Sequence, residues 1–162
     1  MITRRGFALA FTAAGALSAS GCGFRPLYGG PGFAALAGLD VETGQGRFDY
    51  LLADAVRDFA GPGRQSRTLI IETDLQEQPR GLSPTGEATR IVLRAVSRWT
   101  LQGGAETGLT GTTATSLGFD TPRDPFAVIA ARSAAEERLA ALQAEQVLQD
   151  VATKLRGVAT AE

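Results

Sequence analysis

Histidine is absent from this 162-residue chain, and cysteine occurs once, at Cys22. Without histidine there is no side chain of near-neutral intrinsic pKa to shuttle protons, and a zinc site would have to be built from carboxylates alone. The usual nucleophilic triads and metal-assisted hydrolysis drop out, and neither a metal nor another cofactor is expected. A lone cysteine cannot form an internal disulfide, so burial has to hold the fold together. Aromatic residues make up only 7%, which leaves little from which to build a sugar-binding platform. Some pairing is inevitable among 17 acidic residues, yet no pair sits in the Gly-framed or aromatic-rich setting a glycosidase needs, so we expect no enzyme. Charge of one sign is also lacking: a formal net charge of -1 shows none of the basic excess that a nucleic-acid partner demands.

What is present starts at the N-terminus. Arg4 and Arg5 precede a small and apolar stretch from Gly6 to Leu17, followed by Ser18, Ala19, Ser20 and Gly21. That stretch is too short and too rich in Gly, Ala and Thr to cross a bilayer, which takes roughly 20 apolar residues, so residues 1–21 read as a cleaved leader. Ala19-Ser20-Gly21-Cys22 resembles a bacterial lipobox, with Ala19 where leucine is usual. On this reading Cys22 carries a diacylglyceryl thioether; the alternative is a free cysteine buried in an ordinary N-terminal helix. Thr3-Arg4-Arg5-Gly6-Phe7 also looks like a twin-arginine export signal, and the choice between that route and general secretion stays open. Losing the two leader arginines leaves 14 basic against 17 acidic residues, a net charge of -3. Gly23 follows the cysteine where an aspartate would mark inner-membrane retention, which favours the outer membrane. Acyl chains on Cys22 would make the anchor permanent in practice, at about 0.8 kcal/mol per buried CH2.

With 44% hydrophobic residues, the remainder is expected to form one globular domain. Prolines and glycines make residues 22–35 a flexible tether. A strand is expected over 36–43, where Leu39, Val41 and Thr43 alternate with Asp40 and Glu42. A helix follows from Arg47 to Phe59, its stripe formed by Phe48, Leu51, Leu52, Ala55, Val56 and Phe59 and its end set by Gly61-Pro62-Gly63. Three strands are expected over 67–76, 89–101 and 107–119, with a loop from Pro79 to Gly86 and a hairpin at Gly103-Gly104. A long helix closes the domain from about Pro125 to Arg156, with Gly157 as its stop and 158–162 as a tail. Its main stripe is Ala140, Ala144, Val147, Leu148, Val151 and Leu155. A second stripe, Ala135, Leu139 and Leu142, points nearly the opposite way, which suggests a partner protein on the back of the helix or else alanines placed for helix propensity. The expected fold over 36–157 is α+β, in the order β-α-β-β-β-α, a small, mostly antiparallel four-stranded sheet with two helices on one face.

Gly21-Cys22-Gly23-Phe24-Arg25-Pro26-Leu27-Tyr28-Gly29 is similar to the opening of the mature LPS-assembly lipoprotein LptE family. The strand from Arg90 to Leu101, the Asp124-Pro125-Phe126-Ala127 approach to the last helix and the run Ala134-Ala135-Glu136-Glu137-Arg138 resemble that family as well. The resemblance implies a plug inside the outer-membrane barrel LptD that helps the barrel fold and binds lipopolysaccharide on its way to the cell surface. It also implies basic ligand contacts in the loop between the second and third strands and near the start of the last helix, positions that Arg80 and Arg132 occupy here.

Lipopolysaccharide is an anionic amphiphile, so a site for it should combine arginine with apolar surface. Arg90, Arg94 and Arg98 share one strand face at intervals of about 13 Å with Val92 and Val96 between them. Their alternative role is cross-strand pairing with Glu72 and Asp74, worth roughly 0.2 to 1 kcal/mol each. The expected ligand edge is Arg80, Arg90 and Arg132. A second reading is an envelope lipoprotein that binds a small apolar ligand or assists an ABC-type lipid transporter.

The leader assignment is checked by fractionation. Cys22→Ser should move the chain from the membrane to the soluble fraction, and mass spectrometry of the wild type should find acylated Cys22 at its N-terminus.

Overall fold

A computed structural model describes residues 36–63, 67–84, 86–104 and 108–159. The leader, Cys22, the tether and the last three residues lie outside the described residues.

The elements run β1 (Asp40–Thr43), α1 (Arg47–Ala60), β2 (Thr68–Leu82), β3 (Ala88–Gln102), β4 (Leu109–Asp120) and α2 (Pro125–Ala159). One four-stranded sheet has the order β1-β2-β3-β4, with β1 parallel to β2 and the other pairs antiparallel. This is the α+β arrangement expected, and both helices contribute to the core on one face of the sheet.

The alternation of β3 sorts its side chains. Leu93, Ala95, Ser97, Trp99 and Leu101 are buried beneath the helices, whereas Arg90, Arg94 and Arg98 are exposed on the opposite face. Ser97 is polar but not orphaned, because its hydroxyl lies 2.8 Å from that of Thr73, its register partner on β2.

Several boundaries differ from expectation for identifiable reasons. Residues 36–38 form a turn, not strand: Gly38 adopts a φ of 72° and packs its Cα against the backbone of Gly63, where no Cβ would fit. The segment from Pro79 to Leu82, expected as loop, continues β2. Proline has no N–H to offer a ladder, and it is tolerated because β1 stops at Thr43, opposite Ile71, leaving that edge of β2 without a neighbour among the described residues. The turn itself is confined to Ser83–Glu87, closed by Ser83 N–H donating to Glu87 C=O at 2.8 Å. Nor does Gly157 stop the last helix, which runs on to Ala159; a glycine there costs only about 1 kcal/mol relative to alanine.

The second stripe on α2 is explained within the chain. Ala135 and Leu139 are 3% and 0% exposed, while Leu142 remains 41% exposed. Near its start, α2 meets both α1, through Arg47 and Ser133, and β2, through Arg132 and Glu77. Further along it reaches β4, where the Gln143 amide donates to Thr113 and Lys154 donates to the Thr110 carbonyl. The helix therefore crosses the sheet obliquely, and Ala135 and Leu139 are buried within the chain's own core. The expectation that Ala135 and Leu139 face a partner is corrected; of the three, only Leu142 is available.

The last turns of α2 are fixed by the only tryptophan. Trp99 is 1% exposed, its Nε1 donates to Asp150 Oδ2 at 3.1 Å, and Lys154 Nζ sits 5.0 Å from the ring centroid. Gly111 on β4 makes this possible: a Cβ there would collide with both the indole and the Asp150 carboxylate. Gly111→Ala should therefore cost about 1–3 kcal/mol, the range for overpacking a core, read as a lower urea midpoint with Trp99 fluorescence as the probe.

Candidate functional site

The open face of the sheet is built by the residues that alternate away from the helices. Register brings Arg98 opposite Glu72 and Thr112, Arg94 opposite Gln76 and Ser116, and Arg90 opposite Arg80 and Asp120. A basic row on β3 thus runs between an acidic and amide row on β2 and a hydroxyl-rich row on β4, with Val92 and Val96 half-buried between the arginines.

These arginines differ in what they touch. Arg90 pairs with Asp120 at 3.1 Å and lies over Gly118, whose missing side chain leaves room for the guanidinium. The pair is exposed on both sides and contributes little to stability. Arg80 donates to Gln78 at 3.0 Å. It faces Arg90 directly, and like charges across a strand pair repel. Among the described residues Arg94 and Arg98 make no ion pair and no side-chain hydrogen bond, although Glu72 stands across the register from Arg98. Cross-strand pairing with Glu72 and Asp74 is therefore not their role here.

Arg132 does not join this group. It projects on the helix side, where it donates to Glu77 at 2.7 Å and to Glu136 at 3.1 Å. Glu136 is 8% exposed and also holds Arg47 at 3.5 Å, so one buried carboxylate ties α1, α2 and β2 together. The expected edge of Arg80, Arg90 and Arg132 is corrected: the first two share the open face and the third belongs to this network. Sequence reading missed the network because Arg47 and Glu136 are far apart in the chain; only the i, i+4 spacing of Arg132 and Glu136 was visible.

The same network rims a cleft of about 430 Å3 whose apolar lining comes from Phe48, Leu75 and Ile129. Of these Ile129 is 66% exposed, and Phe126, one turn earlier on α2, is 80% exposed. No group of histidine, cysteine, aspartate or glutamate that could hold a metal occurs among the described residues, and no described helix is long and apolar enough to cross a membrane.

Solved structures similar to this one were found by comparison. A protein of Caulobacter crescentus CB15, whose structure is described as that of a putative lipoprotein, is 30% identical, with a TM-score of 0.58, over 79% of this chain and 97% of that one. The rare lipoprotein B of Shewanella oneidensis shares the fold at 13% identity and a TM-score of 0.57, over 74% of this chain and 97% of that one. No protein-family model and no curated protein matches the chain.

The two groups of charges should respond differently to substitution. Glu136→Ala should lower unfolding free energy by about 1 kcal/mol, since it removes the carboxylate shared by Arg47 and Arg132 while leaving Arg132 its pair with Glu77, whereas Arg94→Ala and Arg98→Ala should stay within about 0.5 kcal/mol of the wild type in chemical denaturation.

Proposed function

Because the chain belongs to the lipoprotein family of the Caulobacter crescentus protein, we propose that it is a lipid-anchored protein of the outer membrane that acts through Cys22 and its open sheet face. In this reading it resembles LptE in role as well as in sequence: a plug and assembly partner of an LptD-like barrel that binds lipopolysaccharide in transit. It catalyses no reaction.

The observation that carries the reading is the row of Arg90, Arg94 and Arg98, joined by Arg80, on a sheet face left uncovered among the described residues. Arg94 and Arg98 have no competing partner there, so an incoming phosphate or carboxylate meets guanidinium groups already free to form bidentate hydrogen bonds. Val92 and Val96 between them offer apolar contact to an acyl chain or to a partner's side chains. Repulsion between Arg80 and Arg90 adds to this, because an anion bound between them relieves it.

A second reading follows from the cleft beside α1, whose apolar lining and charged rim suit a small amphiphile. That would make the protein an envelope lipoprotein carrying a small apolar ligand or serving an ABC-type lipid transporter. Purification from intact envelopes separates the two: a β-barrel protein recovered in stoichiometric amount supports the plug, and a monomer with extractable lipid supports the carrier.

Lipopolysaccharide binding should weaken at least about tenfold, or about 1.4 kcal/mol, when Arg90, Arg94 and Arg98 are changed together to Ala, and it should be unaffected by Arg132→Ala. Unchanged affinity of the triple variant in low salt would remove the open face from the proposal.

A further inference from the structure

The sheet has two outer edges, and they are built differently. On one side β1 carries Asp40 and Glu42, and beyond its end the exposed edge of β2 carries Glu77, Pro79 and Arg80. Charges and proline discourage the addition of another strand. The β4 edge has neither, since no charged residue and no proline occurs from Leu109 to Phe119.

The phase of hydrogen bonding along β4 is fixed. Thr121 N–H donates to Thr89 C=O, and this pair continues the β3–β4 register, so odd-numbered residues of β4 exchange bonds with β3. Even-numbered residues, among them Thr112, Ala114 and Ser116, turn their N–H and C=O outward, where no strand meets them among the described residues. Beside them a groove of about 370 Å3 separates Thr112 to Ala114 from Gln146, Gln149 and Thr153 of α2, and the helix reaches this edge only at its end, where Lys154 donates to the Thr110 carbonyl.

We propose that β4 is a self-association edge, on which β4 of a second copy adds antiparallel across a twofold axis at Ala114. The row of N–H and C=O groups from Thr112 to Ser116, without a strand beside it among the described residues, is matched by another strand, and this strand suits its own copy because it brings no like charges together. With the axis at Ala114, Thr112 faces Ser116 of the second copy, Thr113 faces Thr115, and Leu109 faces Phe119. Hydroxyls then meet hydroxyls and apolar meets apolar. Asp120, the one charge of β4, falls opposite Gly108. Moving the axis by one residue to Thr115 would set Leu109 against Thr121 and Phe119 against Gly111, which loses the apolar match. The inference goes beyond the barrel-partner reading and concerns the chain by itself.

Cysteine cross-linking in a Cys22→Ser background, where the introduced thiol is the only one, tests both the contact and its register. Ala114→Cys should form a disulfide-linked dimer on mild oxidation. Thr112→Cys should do so at least about tenfold more slowly, because residues 112 of the two copies lie four residues apart, about 13 Å along the strands. The double variant Thr112→Cys/Ser116→Cys should restore fast cross-linking. In sedimentation velocity the chain without added cysteines should show a concentration-dependent dimer, and Ala114→Pro, which deletes an outward N–H and no β3 bond, should be monomeric. If Ala114→Pro is unfolded by circular dichroism, the cysteine series decides. A monomer at every concentration, or equal cross-linking rates for Thr112→Cys and Ala114→Cys, overturns the proposal.

Discussion

The oblique course of α2 over the sheet is held at both ends by polar contacts. At one end Arg132 reaches Glu77 on β2; at the other, Asp150 accepts from the Trp99 indole while Lys154 reaches the carbonyl of Thr110 on β4. Between these points the helix seals one face of the sheet against α1 and the core, burying Leu139, Val147, Leu148 and Val151. Both helices among the described residues are spent on that face. Among the described residues the opposite face keeps its charges in water, and β3, paired on both sides, supplies the buried row and the basic row from alternate residues of one strand.

That division assigns the arginines their work. A guanidinium on the helix side is drawn into ion pairs with buried or half-buried carboxylates, as Arg132 is, and becomes part of the fold. One on the open face costs the fold little and remains available to a ligand or partner. Sequence position alone does not separate the two cases: Arg80 and Arg132 were both placed at a ligand edge, and only the parity of Arg80 in β2 against the helical direction of Arg132 sends them to opposite sides.

Most of the architecture was legible because it rests on periodicity. The alternation from Arg90 to Leu101 and the 3.6-residue pattern from Phe48 to Phe59 identify a strand and a helix whatever surrounds them. The boundaries that failed were those where a neighbour decides the outcome. Pro79 reads as a turn until it is known that β1 has already ended, and Gly157 reads as a stop although the helix passes through it. The second stripe of α2 reads correctly as an apolar surface, but Ala135 and Leu139 are covered within the chain itself, a tertiary fact with no local signature. Of the candidate site, the row of arginines was visible in the pattern; the freedom of Arg94 and Arg98 was not, since it depends on side-chain geometry across the strand pair.

Gly111 and Trp99 occupy one volume between them. Neither position can drift by itself, because any side chain added on β4 must be matched by a smaller ring on β3 and by a residue other than Asp150 to meet it from the helix. Relatives that lose the indole are therefore free to lose the glycine, and the two sites should be inherited as a linked pair.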